Sequence, residues 1–581
     1  MFKLLKYLKG FRKESVLGPF FKLLEALFEL FTPLVIAAII DNGIAGGDKG
    51  YIVKMCLVLV GLGFAGLAFS ITAQFFAAKA SVGFTAKLRH VLFEHIGRLG
   101  YSQLDEVGSS TLITRLTGDM NQVQTGLNLT LRLLLRSPFV VFGAMIMAFT
   151  IDPRTAMIFV YVTLILFAVV FAIMLVSIPL YKKAQQRLDD VTGAVRENLT
   201  GVRVIRAFGL ENSETERFNE KNHELARTQK FVGGVSALMN PVTYVIINIA
   251  VIYLIKAGAV RVDSGVLKQG EVVALYNYMS QILVELIKLA NLIISITKSI
   301  ACGNRIQAVL EIVPNNMAPN MENKENAQSN NISEDSGYAV EFDNVSLLYN
   351  GGGEKALEGI SFKVKRGETV GIIGGTGSGK SSLVNMIPRF YDASEGVVKV
   401  NGQDVKNANP GQLRENIGIV PQKAALFKGT IADNLRWGNE NASEEEIMQA
   451  VKAAQAADVV KVKGGLGAEI EQGGRNLSGG QRQRLTIARA LVRRPEVLIL
   501  DDSASALDFA TDAALRKSLR ELDFAPTVFI VSQRTSSIAH ADKIIVLDDG
   551  KAVGIGTHEE LLKSCEVYKE IYNSQFKKEA V

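Results

Sequence analysis

The chain has 581 residues, 48% of them apolar, and a formal charge of only +6. That length exceeds a single core, and the small charge, with no basic stripe carrying interleaved aromatics, argues against a nucleic-acid binder and for loops facing an anionic inner leaflet. Three scattered cysteines (Cys56, Cys302 and Cys565) show neither metal-ligand spacing nor a disulfide framework.

The apolar residues are concentrated in the first half of the chain. At the start, Phe2, Leu4, Leu5, Leu8 and Phe11 alternate with Lys3, Lys6, Lys9, Arg12 and Lys13. This pattern predicts an amphipathic basic helix lying on the cytoplasmic face of a membrane. The apolar segment after it is long and has no small-residue cleavage site, so a cleavable signal peptide is not expected. Six segments then have the apolar length, about 20 residues, that crosses a hydrocarbon core. They fall near 16–40, 53–77, 131–150, 156–180, 235–259 and 272–296.

The connections at 41–52, 151–155 and 260–271 are short, whereas 78–130 and 181–234 are long, polar and helical in period. The long stretches carry Lys87, Arg89, Arg98, Arg115, Lys182, Lys183, Arg187, Arg196, Arg203 and Arg206. By the positive-inside rule they face the cytoplasm, and both termini with them. Glu25, Glu29, Glu285 and Lys288 fall within spans, where a charge is costly and normally faces a bundle interior or a watery cavity. Two readings stay open: a polar wall that selects cations, or ions that pair with one another, as Glu285 and Lys288 can at a spacing of three. Residues 314–337, rich in Asn, Glu and Ser, read as a hydrophilic linker. The expected organisation is a six-helix all-α transmembrane domain (1–313), this linker, and an α/β nucleotide-binding domain (338–581).

From Tyr338 onward short apolar strands alternate with helical segments, predicting a mainly parallel sheet preceded by antiparallel strands. After the apolar run that starts at Thr369 comes Gly374-Gly375-Thr376-Gly377-Ser378-Gly379-Lys380-Ser381, a G-x-x-x-x-G-K-[ST] phosphate loop in strand–loop–helix context. Its glycines let backbone N–H groups close around phosphates. Lys380 reaches the β- and γ-phosphates, the Ser381 hydroxyl takes a position on Mg²⁺, and a helix opening at Ser382 adds its dipole. Val497-Leu498-Ile499-Leu500-Asp501-Asp502 is an apolar strand ending in carboxylates at the same sheet edge, which places Asp501 to hold Mg²⁺. Leu477-Ser478-Gly479-Gly480-Gln481 precedes a helix and forms a second anion site separate from the first. Tyr349 ends an early strand; its ring is either a stacking surface for adenine or an ordinary strand aromatic.

The phosphate loop, the LSGGQ run and the LILDD strand, in this order, resemble the ATP-binding cassette family. With six preceding spans the chain resembles a half-size ABC exporter of the multidrug type over essentially its whole length. The resemblance implies that Tyr349 stacks on adenine, that Gln422 in Val420-Pro421-Gln422 senses Mg²⁺ and the membrane domain, and that Ser505-Ala506-Leu507-Asp508 is the D-loop. It implies coupling helices near Arg115-Leu116-Thr117-Gly118-Asp119 and within the stretch from Glu197 to Phe208. Two cassettes would face head to tail, each ATP lying between one chain's phosphate loop and the other's LSGGQ, and closure would switch the membrane halves between inward- and outward-facing states.

Two positions depart from the family pattern. Asp502 stands where the family usually has a water-orienting Glu, and Gln533 where it usually has a switch histidine. A carboxylate withdrawn by about 1 Å costs on the order of a hundredfold in rate, and a glutamine carries no positive charge. The expectation is a chain that binds Mg²⁺ and ATP but hydrolyses slowly at its own site. It would pair with a second half-transporter bearing Asp-Glu and the switch histidine, in a cell membrane, extruding amphipathic drugs or lipids. A homodimeric lipid flippase and a regulatory subunit that gates its partner are the alternatives.

Overall fold

The computed structural model describes residues 1–314, 337–349 and 353–576; the predicted linker lies outside the described residues except at its two ends. Contacts divide the chain into two units, one of Met1–His95 with Ser110–Glu311, the other of Ile96–Ser109 with Ile312–Val581.

In chain order the first ten helices are α1 (Arg12–Ala38), α2 (Lys49–Arg98), α3 (Tyr101–Val107), α4 (Ser109–Thr114), α5 (Met120–Leu133), α6 (Arg136–Ile151), α7 (Pro153–Ala207), α8 (Glu211–Ala237), α9 (Met239–Asp263) and α10 (Gln269–Leu310). Six continuous stretches are long and apolar enough to cross a membrane: Lys3–Ile44, Lys49–Arg98, Ser109–Ile151, Pro153–Ala207, Glu211–Asp263 and Gln269–Leu310. Each contains one of the six predicted spans. Helix α7 alone has 55 residues, roughly 80 Å at 1.5 Å per residue, far more than the ~30 Å of a hydrocarbon core. The long polar stretches are therefore continuations of spanning helices.

The N-terminal segment differs from its sequence pattern. Phe2–Phe11 is a 3₁₀ helix, Leu4 is buried, and the Met1 amine donates to Asn304 Oδ1 (2.5 Å) and Gln307 Oε1 (2.7 Å) of α10. Protein therefore takes up part of the apolar side that the pattern assigned to lipid. Arg115–Asp119 adopts a less regular form. It is a π-helical turn whose Asp119 accepts from Arg115 Nη1 (2.8 Å) and Arg305 Nε (2.9 Å), fixing it to α10 inside the first unit. The segment of that excursion which groups with the C-terminal residues is Ile96–Ser109, containing α3.

The charges singled out within the spans, Glu25, Glu29, Glu285 and Lys288, are paired. Arg136 Nη1 donates to Glu285 Oε1 (2.6 Å) and Nη2 to Glu29 Oε2 (2.5 Å), while Ser137 Oγ (2.8 Å) and Lys288 Nζ (2.9 Å) also donate to Glu285. Glu25 accepts from Lys22. Glu29, Arg136 and Glu285 lie roughly 15–25 Å in from the helix ends joined by short connections, well within hydrocarbon depth. The arginine and Glu285 side chains are 7% and 4% exposed, so water contributes little to solvating them. The pairing of Glu285 with Lys288 is thus realised, with Arg136 as the larger counter-charge that local spacing does not reveal. Removing one member of a buried pair strands the other. Arg136→Ala is expected to lower stability by about 3–5 kcal/mol, read as a fall in melting temperature of the detergent-solubilised protein. Arg136→Met with Glu285→Leu should recover most of that loss. A double variant no better than the single would show that charge is not what holds this cluster.

In the C-terminal unit, β1 (Tyr338–Leu347), β2 (Leu357–Lys365), β3 (Thr369–Gly374), β4 (Glu395–Val400), β5 (Gln403–Asp404), β6 (Ile417–Val420), β7 (Gly429–Thr430), β8 (Glu469–Ile470), β9 (Val497–Asp501), β10 (Thr527–Val531), β11 (Lys543–Asp548) and β12 (Lys551–Gly556) build three sheets. The largest runs β12-β11-β3-β10-β9-β6, parallel from β11 to β6 with β12 antiparallel. Strands β9 and β10 are buried at every residue, as continuous apolar runs covered on both faces must be. The sheet β2-β1-β4-β5 is antiparallel, and β2 alternates between buried and exposed residues over most of its length.

Candidate nucleotide site

The strand order brings the chemistry together. Strands β3, β10 and β9 are neighbours, and their C-terminal ends carry the phosphate loop, Ser532-Gln533 and Asp501-Asp502 respectively. Open parallel sheets bind ligands in the crevice beyond those ends. Here that crevice is a cleft of 320 Å³. On one side it is lined by Thr376, Gly377, Gly379, Lys380, Ser381 and Ser382. Tyr349, Gln422, Asp501, Asp502 and Gln533 line the rest.

The loop's glycines do different things. Gly377 (φ +86°) and Gly379 (φ +93°) adopt left-handed backbone that a side chain disfavours, and at Gly377 there is open space. At Gly374 a Cβ would fall 2.1 Å from the Leu547 carbonyl oxygen, so this glycine lets β11 pass close by. Gly374 and Ser378 do not line the cleft; Ser378 is buried behind Lys380, with 3.4 Å between its Oγ and the ammonium. Helix α11 (Lys380–Met386) starts directly after the loop, and Lys380 Nζ donates to the carbonyls of Gly374 (3.0 Å) and Gly375 (2.5 Å). Burial pushes the Lys380 ammonium below its ordinary pKa, against the pull of Asp502 and Asp501.

Asp501 is buried, and Ser381 Oγ donates to its Oδ1 at 3.0 Å. Burial pushes its pKa up and the neighbouring Asp502 adds to that, while the Ser381 bond and Lys380 pull the other way. Asp502 sits on left-handed backbone (φ +46°), held by its N–H to the Val531 carbonyl (3.0 Å) and by Ser505 Oγ to its own carbonyl (2.8 Å). Gln422 Nε2 donates to Asp502 Oδ2 at 3.4 Å. A hydroxyl, a carboxylate and an amide around a cleft with a phosphate loop fit Mg²⁺ bound to nucleotide phosphates. Among the described residues no cluster of three His, Cys, Asp or Glu side chains forms a metal site of its own.

Ser478, Gly479, Gly480 and Gln481 do not line this cleft. Ser478 caps the helix Gly479–Val492: its Oγ accepts from Gln481 N (3.3 Å) and Gln481 Oε1 accepts from Ser478 N (3.0 Å). Ser478 and Gly479 are exposed, so one chain presents the signature away from its own phosphate loop. Sequence reasoning missed Ala356, Val531 and Ser532 in the lining, and it missed Gln575. Gln575 Nε2 donates to the Gln533 carbonyl (2.7 Å) and its Oε1 accepts from Thr535 N (2.9 Å), fixing the loop after β10. No local motif marks a glutamine 42 residues downstream.

A phosphate loop and a carboxylate-ended strand meeting at one cleft, in a chain with six apolar helical stretches, define a P-loop nucleotide-binding cassette attached to a membrane domain. Residues 15–286 match the ABC transporter transmembrane region and residues 357–505 the ABC transporter model. The chain is 36% identical to the ABC transporter ATP-binding protein Rv1273c of Mycobacterium tuberculosis over 98% of this chain and 97% of that one. It is 30% identical to YgaD of Bacillus subtilis, named for multidrug export (99% of both chains), and 30% identical to the ATP-dependent lipid A-core flippase of Haemophilus influenzae (95% and 92%). The solved structure of a bacterial Atm1-family ABC exporter with ATP bound shares the fold, with TM-score 0.81, 24% identity, and coverage of 97% and 99%. The chain belongs to the ABC transporter family. It is a multi-pass membrane protein and an ABC exporter whose cassette is a transport ATPase using ATP with Mg²⁺.

The shift of Asp501 has a measurable consequence. A carboxyl whose folded pKa is raised binds its proton more tightly folded than unfolded. Its ionised form therefore costs stability, and the cost grows as pH rises from the ordinary aspartate range through the raised value. Asp501→Asn should raise the melting temperature of the Mg²⁺-free protein at neutral pH while abolishing the Mg²⁺-dependent part of stabilisation by ATP. The gain should vanish at acid pH, where Asp501 is protonated in both states. A gain that instead persists unchanged into acid would assign the effect to something other than ionisation.

Proposed function

We propose that this chain is one half of a heterodimeric ABC exporter and that its own ATP site is degenerate. Lys380 and the loop hold the phosphates, Ser381, Asp501 and Gln422 hold Mg²⁺, and Tyr349 stacks on the base. The observation that carries the reading is that Asp502 and Gln533 line the same cleft as Lys380 and Asp501. They supply neither a carboxylate of glutamate's reach nor an imidazole. A water-positioning group withdrawn by about 1 Å costs on the order of a hundredfold, and glutamine hydrogen-bonds a phosphate without giving it charge.

The signature supports the same assignment. Ser478 and Gly479 are intact, exposed and outside their own cleft, so they are available to a nucleotide held by another chain. Two copies of this chain would pair two intact signatures with two weakened catalytic sets. A partner carrying Asp-Glu and a switch histidine gives this chain's signature a competent site to complete. The transmembrane part extrudes amphipathic drugs or lipids by alternating access, the classes for which YgaD and the lipid A-core flippase are named. The basic long connections and both termini face the cytoplasm.

In the complex purified from its own host, native mass should show this chain with a different six-span chain; two copies of this chain alone would overturn the heterodimer. In the reconstituted pair, Lys380→Ala should weaken nucleotide binding at this site at least a hundredfold, by roughly 3 kcal/mol or more. Ser478→Ala should cut turnover at the partner's site while leaving binding here within about twofold. Asp502→Glu with Gln533→His should raise hydrolysis at this site by about tenfold or more, and no gain would mean that those two residues do not set the rate.

A further inference from the structure

Tyr349 is tied on two sides. Its hydroxyl donates to Ser382 Oγ of α11 at 2.8 Å, and its ring meets Tyr391 edge-on, with centroids 5.1 Å apart at 87°. Tyr391 in turn donates its hydroxyl to Asp105 Oδ2 of α3 at 2.6 Å. Burial, reinforced by Asp105, pushes the Tyr391 phenol well above its ordinary pKa, so it remains a donor at any working pH. The platform beside it is rigid. Phe390 stacks on Tyr101 of α3 at 4.0 Å, and the Arg414 guanidinium covers Phe390 at 5.3 Å while donating to the Pro388 and Arg389 carbonyls (2.9 Å each).

Helix α3 starts at Gly100, whose N–H donates to Gln103 Oε1, and ends at Gly108 in left-handed backbone (φ +78°). It is joined covalently to α2 before it and α4 after it. All the contacts just described lie within the unit formed by Ile96–Ser109 and Ile312–Val581.

We propose that Tyr391 is a positioning residue that reports adenine occupancy to α3. Base stacking on Tyr349 restrains the ring against Tyr391, and the Tyr391 hydroxyl carries that restraint to Asp105. This route senses the base, whereas Gln422, bonded to Asp502, senses the phosphate end. It rests on Tyr349 being the adenine platform, as proposed above.

The test compares ATP with inorganic tripolyphosphate, which offers the same phosphate chain without a base, both with Mg²⁺. Amide hydrogen exchange is followed in α3 (Tyr101–Val107) of the full-length complex. In the unmodified protein ATP should slow exchange there about tenfold more than tripolyphosphate does, the size expected of one charge-assisted hydrogen bond. Tyr391→Phe, which keeps the ring and loses the hydroxyl, should erase that difference while leaving ATP affinity within about twofold. Asp105→Ala should do the same from the other end. Equal protection by the two ligands in the unmodified protein, or an ATP-specific effect that survives Tyr391→Phe, overturns the proposal. Tyr349→Ala separates the two layers. Unchanged ATP affinity there sinks the platform and the relay with it, whereas lost affinity with an α3 that never responds to the base sinks the relay alone.

Discussion

The cassette depends on charges held out of water at one edge of a parallel sheet. Lys380 and Asp501 are both buried, each with its pKa displaced toward the neutral form, and Asp502 stands beside them. Loop carbonyls meet the ammonium, and the Ser381 hydroxyl meets the carboxylate. A Mg²⁺–triphosphate would offer both kinds of group a counter-charge, anionic oxygens for Lys380 and a divalent cation for the acids. Nucleotide binding therefore relieves a cost already present in the fold. The strand order β3-β10-β9 makes this possible, because it sets three functional strand ends side by side.

Much of this was legible in the chain because backbone geometry dictated residue type. Positive φ at Gly377 and Gly379 restricts those positions to glycine, and a strand buried on both faces has to read as an apolar run. The six spans were legible for the same kind of reason, since hydrocarbon admits only long apolar helices. What could not be read depended on partners distant in sequence. Arg136 meets Glu285 across 149 positions, Tyr391 meets Asp105 across 286, and no local pattern records either meeting. Helix α3 is seven mostly polar residues, too short for a hydrophobic period to mark it in the sequence.

The left-handed backbone at Asp502 refines the comparison with a glutamate. Asp tolerates φ near +46° better than longer side chains do, because its short carboxylate hydrogen-bonds locally. The shorter side chain thus suits the turn, whereas the water-orienting role proposed above would ask for greater reach. Stability and catalysis pull in opposite directions at this residue, as they commonly do at functional sites. The signature is fixed by a different device, the reciprocal capping bonds between Ser478 and Gln481.

In the membrane part the three glutamates within the spans each meet a cation. Glu29 and Glu285 are matched by Arg136 and Lys288, and Glu25 by Lys22. Of the two readings that the sequence left open for these carboxylates, the structure realises the pairing. The cluster joins α1, α6 and α10, and its Arg136–Glu285 bond, between side chains 7% and 4% exposed, gains strength from its low-dielectric surroundings. Wetting would weaken these bonds far more than it would weaken the surrounding apolar packing. The contacts most sensitive to opening of the bundle are therefore the ionic ones.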